Sequence, residues 1–334
     1  MKNFTKYIQN CNALHRLWER GDTIVVSVSG GRDSMCLAHV LLRIACKENL
    51  RIIVAHVNHG LRSEDSLRDQ QIVEGFCKKN DVSIETLVVP DAKKGEDEAA
   101  WRNLRRTFLA RVATKYSATS IALGHHRGDH AETLLLHLMR GSGLQGLSNM
   151  RFRSAQILET CPEKSLQRFH TVIRPLLNVS KQDITTYCKD YEIDYGEDES
   201  NHDILFLRNK VRHALIPYLE EHFNQNIVTS LARSAQIIAD DYSFLSENVE
   251  LPIKRCGKSV VFSRNDFTSM TISAQRFYLR RVIVELTGSD SLCGFGMIEE
   301  FRKALLSEKN KHRNIQTKDL IFSVKNATVE ITLS

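Results

Sequence analysis

The sequence predicts an α/β protein, with a doubly wound, mainly parallel sheet followed by a second, smaller and mainly helical domain. Apolar runs rich in valine and isoleucine alternate with segments of helical periodicity, and this alternation stops beyond Pro217. Polar segments rich in glycine and histidine follow the carboxyl ends of several predicted strands, where parallel sheets bind their ligands. We therefore expect one ligand site at that edge of the sheet.

The first domain is predicted to contain five strands and the helices that connect them. The strands are residues 24–28, 51–58, 83–89 and 120–124 and a shorter one through residues 172–173. Helical spacing follows in residues 35–44, after Ser63, in residues 96–116 and 134–139, and in a helix from Ser180 with Asp183 as its capping partner.

The second domain begins after a boundary that we place in residues 218–226, which gives domains of residues 1–217 and 226–334. Its predicted elements are a long connecting helix, two further helices and a terminal hairpin, at residues 227–238, 273–286, 295–306 and 320–332.

The composition predicts a cytoplasmic globular protein without a membrane segment. Hydrophobic residues make up 42% of the chain, no run approaches the ~20 apolar residues of a membrane span, and the first residues do not form a secretory signal. The eight cysteines are dispersed without a Cys-x-x-Cys pair, so neither a zinc ribbon nor an iron–sulfur cluster is indicated. The net charge of +6 is compatible with a polyanionic partner.

The six residues Ser29-Gly30-Gly31-Arg32-Asp33-Ser34 directly follow the first predicted strand and are typical of a phosphate-binding turn. Two glycines permit positive φ and close approach of a ligand, and the start of the next helix presents unpaired N–H groups. The turn lacks the Gly-Lys-Ser/Thr ending of a Walker A loop, which disfavours an ATPase or kinase of that class. The hexapeptide alone also fits a plain glycine-rich turn in which Asp33 or Ser34 caps the helix.

The hexapeptide resembles the pyrophosphate-binding loop of the PP-loop ATP pyrophosphatases, and further blocks resemble those of tRNA(Ile)-lysidine synthases. These blocks occur in the family's order at residues 56–62, 98–105, 124–133, 174–177, 198–201 and 208–212. The chain departs from the family pattern at Trp101, Arg106, Gly128 and His130, where Ala, Tyr, Asp and Gln are usual. The resemblance covers about residues 24–219 and implies the adenine nucleotide α-hydrolase-like fold.

The resemblance implies a ligase that joins lysine to C2 of the wobble cytidine of a CAU-anticodon isoleucine tRNA. ATP would adenylate the C2 carbonyl oxygen with release of pyrophosphate, and the lysine ε-amine would then displace AMP, which changes codon recognition from AUG to AUA. The implied cofactors are ATP and Mg²⁺, and the implied partners are tRNA(Ile) and L-lysine. A homodimer is compatible with this expectation.

The resemblance also assigns roles to individual residues. The pyrophosphate would be bound by Ser29, Gly30, Gly31, Arg32, Asp33 and Ser34, and Asp33 would orient it or coordinate Mg²⁺. His56 and His125 would lie beside the nucleotide. The catalytic set would be Asp33, Arg102, Asp129 and Glu132, of which the last two bind the lysine amine and Arg102 meets developing charge or the lysine carboxylate. Arg105, Arg208 and Arg212 would contact tRNA or phosphate.

Several alternatives stay open at this point. Asp129 and Glu132 also fit a capping box, and Arg208 and Arg212 also fit a surface or ion-paired helix face. Histidines cluster at residues 125–130, but no thiolate or His-Glu-x-x-His pattern joins them, which disfavours zinc.

Other functions on the same loop also stay open. A tRNA thiolase would need cysteine-based sulfur chemistry, a glutamine-dependent synthetase would need an ammonia source, and an inactive RNA-binding relative would release no pyrophosphate in response to lysine. Residues 226–334 resemble the family's tRNA-contacting domain, and we expect the further carboxyl-terminal domain of longer members to be absent.

Overall fold

The computed structural model describes residues 3–58, 63–89, 98–148, 150–158, 169–196, 207–249, 253–287, 293–307, 312–317, 319–325 and 327–334. The chain forms two compact units, Met1–Tyr242 and Ser243–Ser334. This division falls later in the chain than the interval 218–226 in which the sequence places the boundary. Residues 59–62 and 198–201, which belong to two blocks of the predicted resemblance, lie outside the described residues, as does Asn326 of the predicted hairpin turn.

The first unit is built on a six-stranded sheet in the order β3-β2-β1-β4-β6-β5. Its strands are β1 Thr23–Ser27, β2 Arg51–Asn58, β3 Ser83–Val88, β4 Ser120–Ala122, β5 Arg153–Ile157 and β6 Phe169–Ile173. The five strands that the sequence predicts pair in parallel, and only the unpredicted edge strand β5 is antiparallel to its neighbour. The predicted fold class is thus confirmed for this unit.

Ten helices belong wholly or mainly to this unit among the described residues. They are α1 Phe4–His15, α2 Arg32–Glu48, α3 Ser63–Lys79, α4 Glu98–Lys115, α5 Arg127–Met139, α6 Leu144–Leu147, α7 Lys181–Asp190, α8 Leu207–Lys210, α9 Ile216–His222 and α10 Ile227–Asn248. A π-helical segment, Val211–Leu215, joins α8 to α9 without a break. The sequence does not predict α1. It predicts a helix around residues 208–212, where the structure has α8 and the start of the π-helical segment. No described helix is long and apolar enough to cross a membrane.

The burial of strand β1 on both faces explains why its three central residues, Ile24 to Val26, are all apolar. Ile24 and Val26 are buried in the core formed with α1, α2 and α7, whereas Val25 is buried on the opposite face with residues of α4. A central parallel strand covered on both faces needs apolar side chains at every position. The same arrangement places the carboxyl end of β1, and the glycine-rich turn after it, at the middle of the sheet edge.

The second unit combines helices with an antiparallel sheet in the order β7-β8-β11-β10-β9. Its elements are β7 Lys254–Cys256, β8 Ser259–Ser263, α11 Arg264–Ser269, α12 Ile272–Thr287, α13 Phe295–Leu306, β9 His312–Gln316, β10 Leu320–Lys325 and β11 Thr328–Leu333. The two predicted helices and the terminal hairpin are confirmed. The expectation of a mainly helical domain is incomplete, because three further strands extend the hairpin into a sheet. Strands β8 and β9 pair with the hairpin and β7 pairs with β8, and all three are short and separated in sequence.

Candidate active site at the carboxyl edge of the parallel sheet

The glycine-rich turn has the backbone geometry that its sequence predicts. Gly30 has φ +94°, and a Cβ at this position would lie 2.8 Å from Cβ of Asp69 on α3. Gly31 is the N-cap of α2 and no side chain caps the helix there, so neither Asp33 nor Ser34 has the capping role of the alternative interpretation. Because no side chain competes for the first turn, its N–H groups suit an anionic ligand.

Hydrogen bonds within the turn hold its shape. Ser34 Oγ donates to Gly31 O at 2.8 Å and accepts from Ser29 N at 3.1 Å. Ser29 Oγ in turn accepts from Gly31 N at 3.3 Å. Both hydroxyl groups therefore stabilise the turn.

A second glycine, Gly196, supports the turn from a distant part of the chain. Gly196 N donates to Gly30 O at 3.0 Å, and Gly31 and Gly196 form an isolated parallel bridge. A Cβ on Gly196 would overlap Oδ1 of Asp69. The sequence does not predict this contact, because no local pattern links residue 196 to the turn.

The ends of β1 and β4 bring the two predicted blocks together. Gly124 follows β4, and a Cβ there would lie 3.3 Å from the backbone of Asp33 and Ser34. His126 then places its Nε2 atom 3.7 Å from Oδ2 of Asp33. The absence of a side chain at Gly124 thus allows the start of α5 to lie against the start of α2.

His126, for which the sequence suggests only a disfavoured zinc site, is the N-cap of α5. Its Nδ1 accepts from Gly128 N at 2.9 Å, and its own backbone N donates to Asp129 Oδ2 at 2.9 Å. The alternative in which Asp129 and Glu132 form the capping box is therefore wrong, since the box lies three residues earlier and Asp129 is its second member. A Cβ on Gly128 would lie 2.7 Å from the His126 ring, so the departure from the family pattern at Gly128 gives this ring its room.

Asp129 and Glu132 together form the carboxylate pair, and two arginines bind it. Arg208 donates from Nε to Glu132 Oε2 at 2.9 Å and from Nη2 to Asp129 Oδ1 at 3.0 Å. Arg212 donates from Nε to Glu132 Oε1 at 2.6 Å and from Nη2 to Asp129 Oδ1 and Glu132 Oε2, both at 3.0 Å. The side chains of Glu132 and Asp129 are only 3% and 13% exposed, so the carboxylate pair is a nearly buried site for cationic nitrogen.

The helix that supplies the arginines is held against α5 by apolar contacts. Val211 and Ile216 are buried with Leu136 of α5 in one small core cluster. Arg208 and Arg212 are four residues apart across the junction of α8 and the π-helical segment, which places both on the face toward the carboxylate pair. The ion-paired alternative for these arginines is therefore what the structure shows.

The charges of the site shift the pKa values of its groups in consistent directions. Burial opposes ionisation of Asp129, but His126, His125 and Arg208 outweigh it and lower the pKa of Asp129 to about 2. Burial lowers the pKa of His125 to about 3, with Arg174 among the cations that add to the effect. Asp129 is therefore ionised and His125 neutral at physiological pH.

The remaining predicted residues lie around this centre. Arg102 is exposed on α4, and its charge adds to burial in lowering the pKa of Arg174 to about 10. Arg105, also exposed, lies near enough to His125 to contribute to that residue's low pKa. His56 is buried, its Nδ1 lies 2.9 Å from Val28 O, and burial lowers its pKa. His56 thus supports the end of β1 in this structure.

Protein side chains alone form no metal site in the described part of the chain. Within the described ranges, no group of three or more His, Cys, Asp or Glu side chains is arranged to hold a metal ion. His130 is buried, and burial lowers its pKa to about 4, so it is a neutral residue of the interior.

Comparison with known families identifies the fold around this site. The sequence profile of the PP-loop domain matches residues 2–219, which is most of the first unit and more than half of the chain. The chain belongs to the PP-loop family. This confirms the family that the hexapeptide indicates, and it supports the use of ATP by this PP-loop protein.

Three curated relatives of this PP-loop protein share the name tRNA(Ile)-lysidine synthase. It is similar to the tRNA(Ile)-lysidine synthases of Clostridium tetani, with 36% identity over 241 residues (70% of this chain, 49% of the relative), and of Clostridium acetobutylicum, with 32% over 280 residues (81% and 58%). The Clostridioides difficile enzyme of that name is 28% identical over 337 residues (98% and 70%). The chain thus spans about half the length of the first two relatives.

A solved structure supports the fold. The U34-tRNA thiolase NcsA from Methanococcus maripaludis with its [4Fe-4S] cluster superposes with a TM-score of 0.55 at 18% identity, over 82% of this chain and 86% of the thiolase. This PP-loop protein has no Cys-x-x-Cys pair, and its described cysteines are free thiols. The likeness therefore extends to the fold alone.

Proposed function

We propose that this PP-loop protein is an ATP-dependent ligase that forms lysidine at the wobble cytidine of CAU-anticodon tRNA(Ile). The observation that carries the proposal is the nearly buried carboxylate pair, which binds cationic nitrogen beside the glycine-rich turn. A turn for pyrophosphate and an adjacent site for an amine are the two parts that adenylation and amine transfer need. The names of the curated relatives favour this reaction over others on the same loop.

The turn would serve the first half-reaction. Its backbone N–H groups and the hydroxyls of Ser29 and Ser34 would bind the departing pyrophosphate, with Arg32 beside them. Asp33 fits a Mg²⁺ ligand, because its carboxylate lies 3.5 Å or more from Arg32 Nε and His126 Nε2, and Mg²⁺ commonly takes one carboxylate together with substrate phosphates. Bound Mg²⁺ would neutralise charge on the phosphates.

The carboxylate pair would serve the second half-reaction. Lysine must attack as a neutral amine, and deprotonation at pH 7 costs about 4.6 kcal/mol from a pKa near 10.4. Asp129 and Glu132 would bind the ammonium form and orient it toward C2 of the base. Because both carboxylates also stabilise the charged form, loss of the proton must accompany attack, with burial of the site favouring the neutral amine.

Basic residues around the pair would meet the anions of the reaction. Arg102 would contact developing charge or the lysine carboxylate, and Arg105 would contact tRNA phosphate. Arg208 would contact tRNA or phosphate once it leaves the carboxylates, and Arg212 would contact tRNA or phosphate beside them. His56 and His125 would line the nucleotide site. Residues 226–334 would contact the tRNA. The net charge of the whole chain, +6, favours binding of this polyanion.

The proposal is tested by incubating the full chain with ATP, Mg²⁺, labelled L-lysine and CAU-anticodon tRNA(Ile). We expect label in the tRNA, a mass gain of lysine less one water in the nucleoside, and one pyrophosphate released per lysine. An inactive RNA-binding relative would bind the tRNA and release no pyrophosphate in response to lysine.

Substrate selection is tested by exchanging anticodon-arm base pairs between tRNA(Ile) and initiator tRNA(Met), which share the anticodon. We expect lysine incorporation to follow the exchanged pairs. Unchanged discrimination after the exchange would contradict recognition through the anticodon arm.

A further inference from the structure

The arginines on the carboxylate pair occupy the position that a substrate amine needs. Glu132 Oε1 accepts from Arg212, Glu132 Oε2 and Asp129 Oδ1 accept from both arginines, and Asp129 Oδ2 accepts from the backbone N of His126. Every carboxylate oxygen is therefore already bound. Glu132 Oε2 and Asp129 Oδ1 each already accept two hydrogen bonds, so an ammonium group that binds between them must replace one guanidinium group.

We propose that Arg208 is an internal occupant of the amine site and that the lysine ammonium binds by displacing its guanidinium group. This inference rests on the proposed function, since it names the step by which lysine enters the site. Arg208 then sets how tightly amines bind, because any incoming amine must compete with a cation that the chain itself supplies.

Arg208 is the arginine whose contacts are easier to break. It makes two hydrogen bonds to the carboxylate pair and its side chain is 38% exposed, whereas Arg212 makes three and is 28% exposed. Arg212 also follows directly on Val211, which is buried against α5. Arg208 lies in the first turn of α8, so its displacement leaves that buried contact intact.

A cation neutralises the negative charge of the carboxylate pair throughout the exchange. Removing one cation from a nearly buried carboxylate without replacement is costly, whereas an ammonium that enters as a guanidinium leaves preserves the balance of charge. Burial lowers the pKa of Arg212, but the carboxylate pair and the charge of Asp33 outweigh burial and raise it, so the cluster adjoins the turn. The displaced guanidinium group of Arg208 would therefore lie close to the expected position of the ATP phosphates.

The first test is calorimetric titration of L-lysine into the full chain without ATP or tRNA. We expect the dissociation constant for Arg208→Ala to fall by about threefold to tenfold relative to wild type, because the competing cation is gone. Arg208→Lys should stay near wild type, since it retains a cation. Lys210→Ala, an exposed neighbour on the same short helix, controls for the loss of one positive charge and should change affinity less than twofold.

Free guanidinium chloride at low millimolar concentration gives an independent readout. In Arg208→Ala it should refill the vacated position and weaken lysine binding competitively, whereas in wild type and Lys210→Ala it should have no effect. Weaker lysine binding by Arg208→Ala, or no guanidinium competition in that variant, would overturn the inference.

These outcomes separate the inference from the proposed function. If wild type incorporates lysine into tRNA and Arg208→Ala does not bind lysine more tightly, the exchange alone is wrong. If wild type neither binds nor incorporates lysine, the function itself is wrong.

Discussion

Two glutamates, one in each unit, bind a pair of arginines, and they differ in what surrounds them. Glu299 on α13 accepts from Arg276 at 2.7 Å and from Arg302 at 2.9 and 3.1 Å. Arg276 is 23 residues away on α12, and Arg302 is 3 residues away on α13 itself. The two arginines that bind Glu132 on α5 are 76 and 80 residues away in the sequence.

Ion pairing alone therefore does not define a functional site. The Glu299 side chain is 13% exposed and pairs with two neighbours, and hydrogen bonds from Arg302 and Arg276 lower its pKa to about 2. Glu132 is 3% exposed, shares its arginines with a second carboxylate, and lies in the first unit beside the glycine-rich turn. Only the second arrangement combines a cation site with a place for phosphate.

The largest expected effect comes from removing one negative charge in each cluster. Glu132→Gln should lower lysine incorporation at least about a hundredfold, because the amine loses the group that binds and orients it. Glu299→Gln, the matched control, should stay within about twofold of wild type. Initial rates with labelled lysine measure the incorporation by both variants. Equal losses of incorporation would contradict a functional difference between the two clusters.

A substitution in the glycine-rich turn should impair pyrophosphate release without changing lysine binding at the carboxylate pair. Gly30→Ala forces a Cβ to within 2.8 Å of Asp69 at φ +94°, so pyrophosphate release should fall at least about a hundredfold while lysine affinity stays unchanged. Gly257→Ala in the second unit is the control, since φ is +62° there but nothing lies within 4 Å of the added Cβ. That control should cost about 1 kcal/mol of stability and leave both activities intact.

A smaller effect depends on pH. An unfolded histidine titrates near pH 6.5 and buried His130 at about 4, so between these values the unfolded chain binds more protons and acid favours unfolding. His130→Gln removes this contribution, which amounts to about 2 kcal/mol at pH 5 and vanishes above about pH 6.5. Denaturant titrations of wild type and variant at pH 5 and 7.5 measure it; an equal stability difference at both values would contradict a neutral, buried His130.

The smallest effect concerns the stability of the second unit. Glu299→Gln should lower the free energy of unfolding by no more than about 1 kcal/mol, because the side chain of Arg276 is 41% exposed and Arg302 is a neighbour on the same helix. The difference should shrink in high salt, which denaturant titrations with and without added salt will show. A much larger, salt-independent loss would mean that this cluster is a buried structural element.

The sequence predicts the glycine-rich turn and the parallel strands because their signals are local. Residues 24–34 alone contain the buried strand, the two glycines and the start of α2. Edge strand β5 is missed because it is short and polar on alternate positions, and the capping box is misplaced because both His126 with Asp129 and Asp129 with Glu132 fit the spacing. Such ambiguities are resolved only by packing.

The site itself is predictable only in part. Asp129 and Glu132 follow a strand end and are found from the resemblance, but nothing local indicates that Arg208 and Arg212 bind them across 76 to 83 residues. The contact of Gly196 with Gly30 is equally remote. Long-range pairings of this kind depend on how helices dock, which a single sequence does not encode in a readable pattern.

The most direct test of the central claim is lysine incorporation by Asp129→Asn into CAU-anticodon tRNA(Ile) with ATP. Asparagine keeps a side-chain oxygen that can accept from the backbone N of His126, so α5 should stay capped while the negative charge is lost. We predict that the variant keeps the wild-type melting temperature within a few degrees and loses incorporation by at least about a hundredfold. Retained incorporation would contradict the assignment of the carboxylate pair as the amine site.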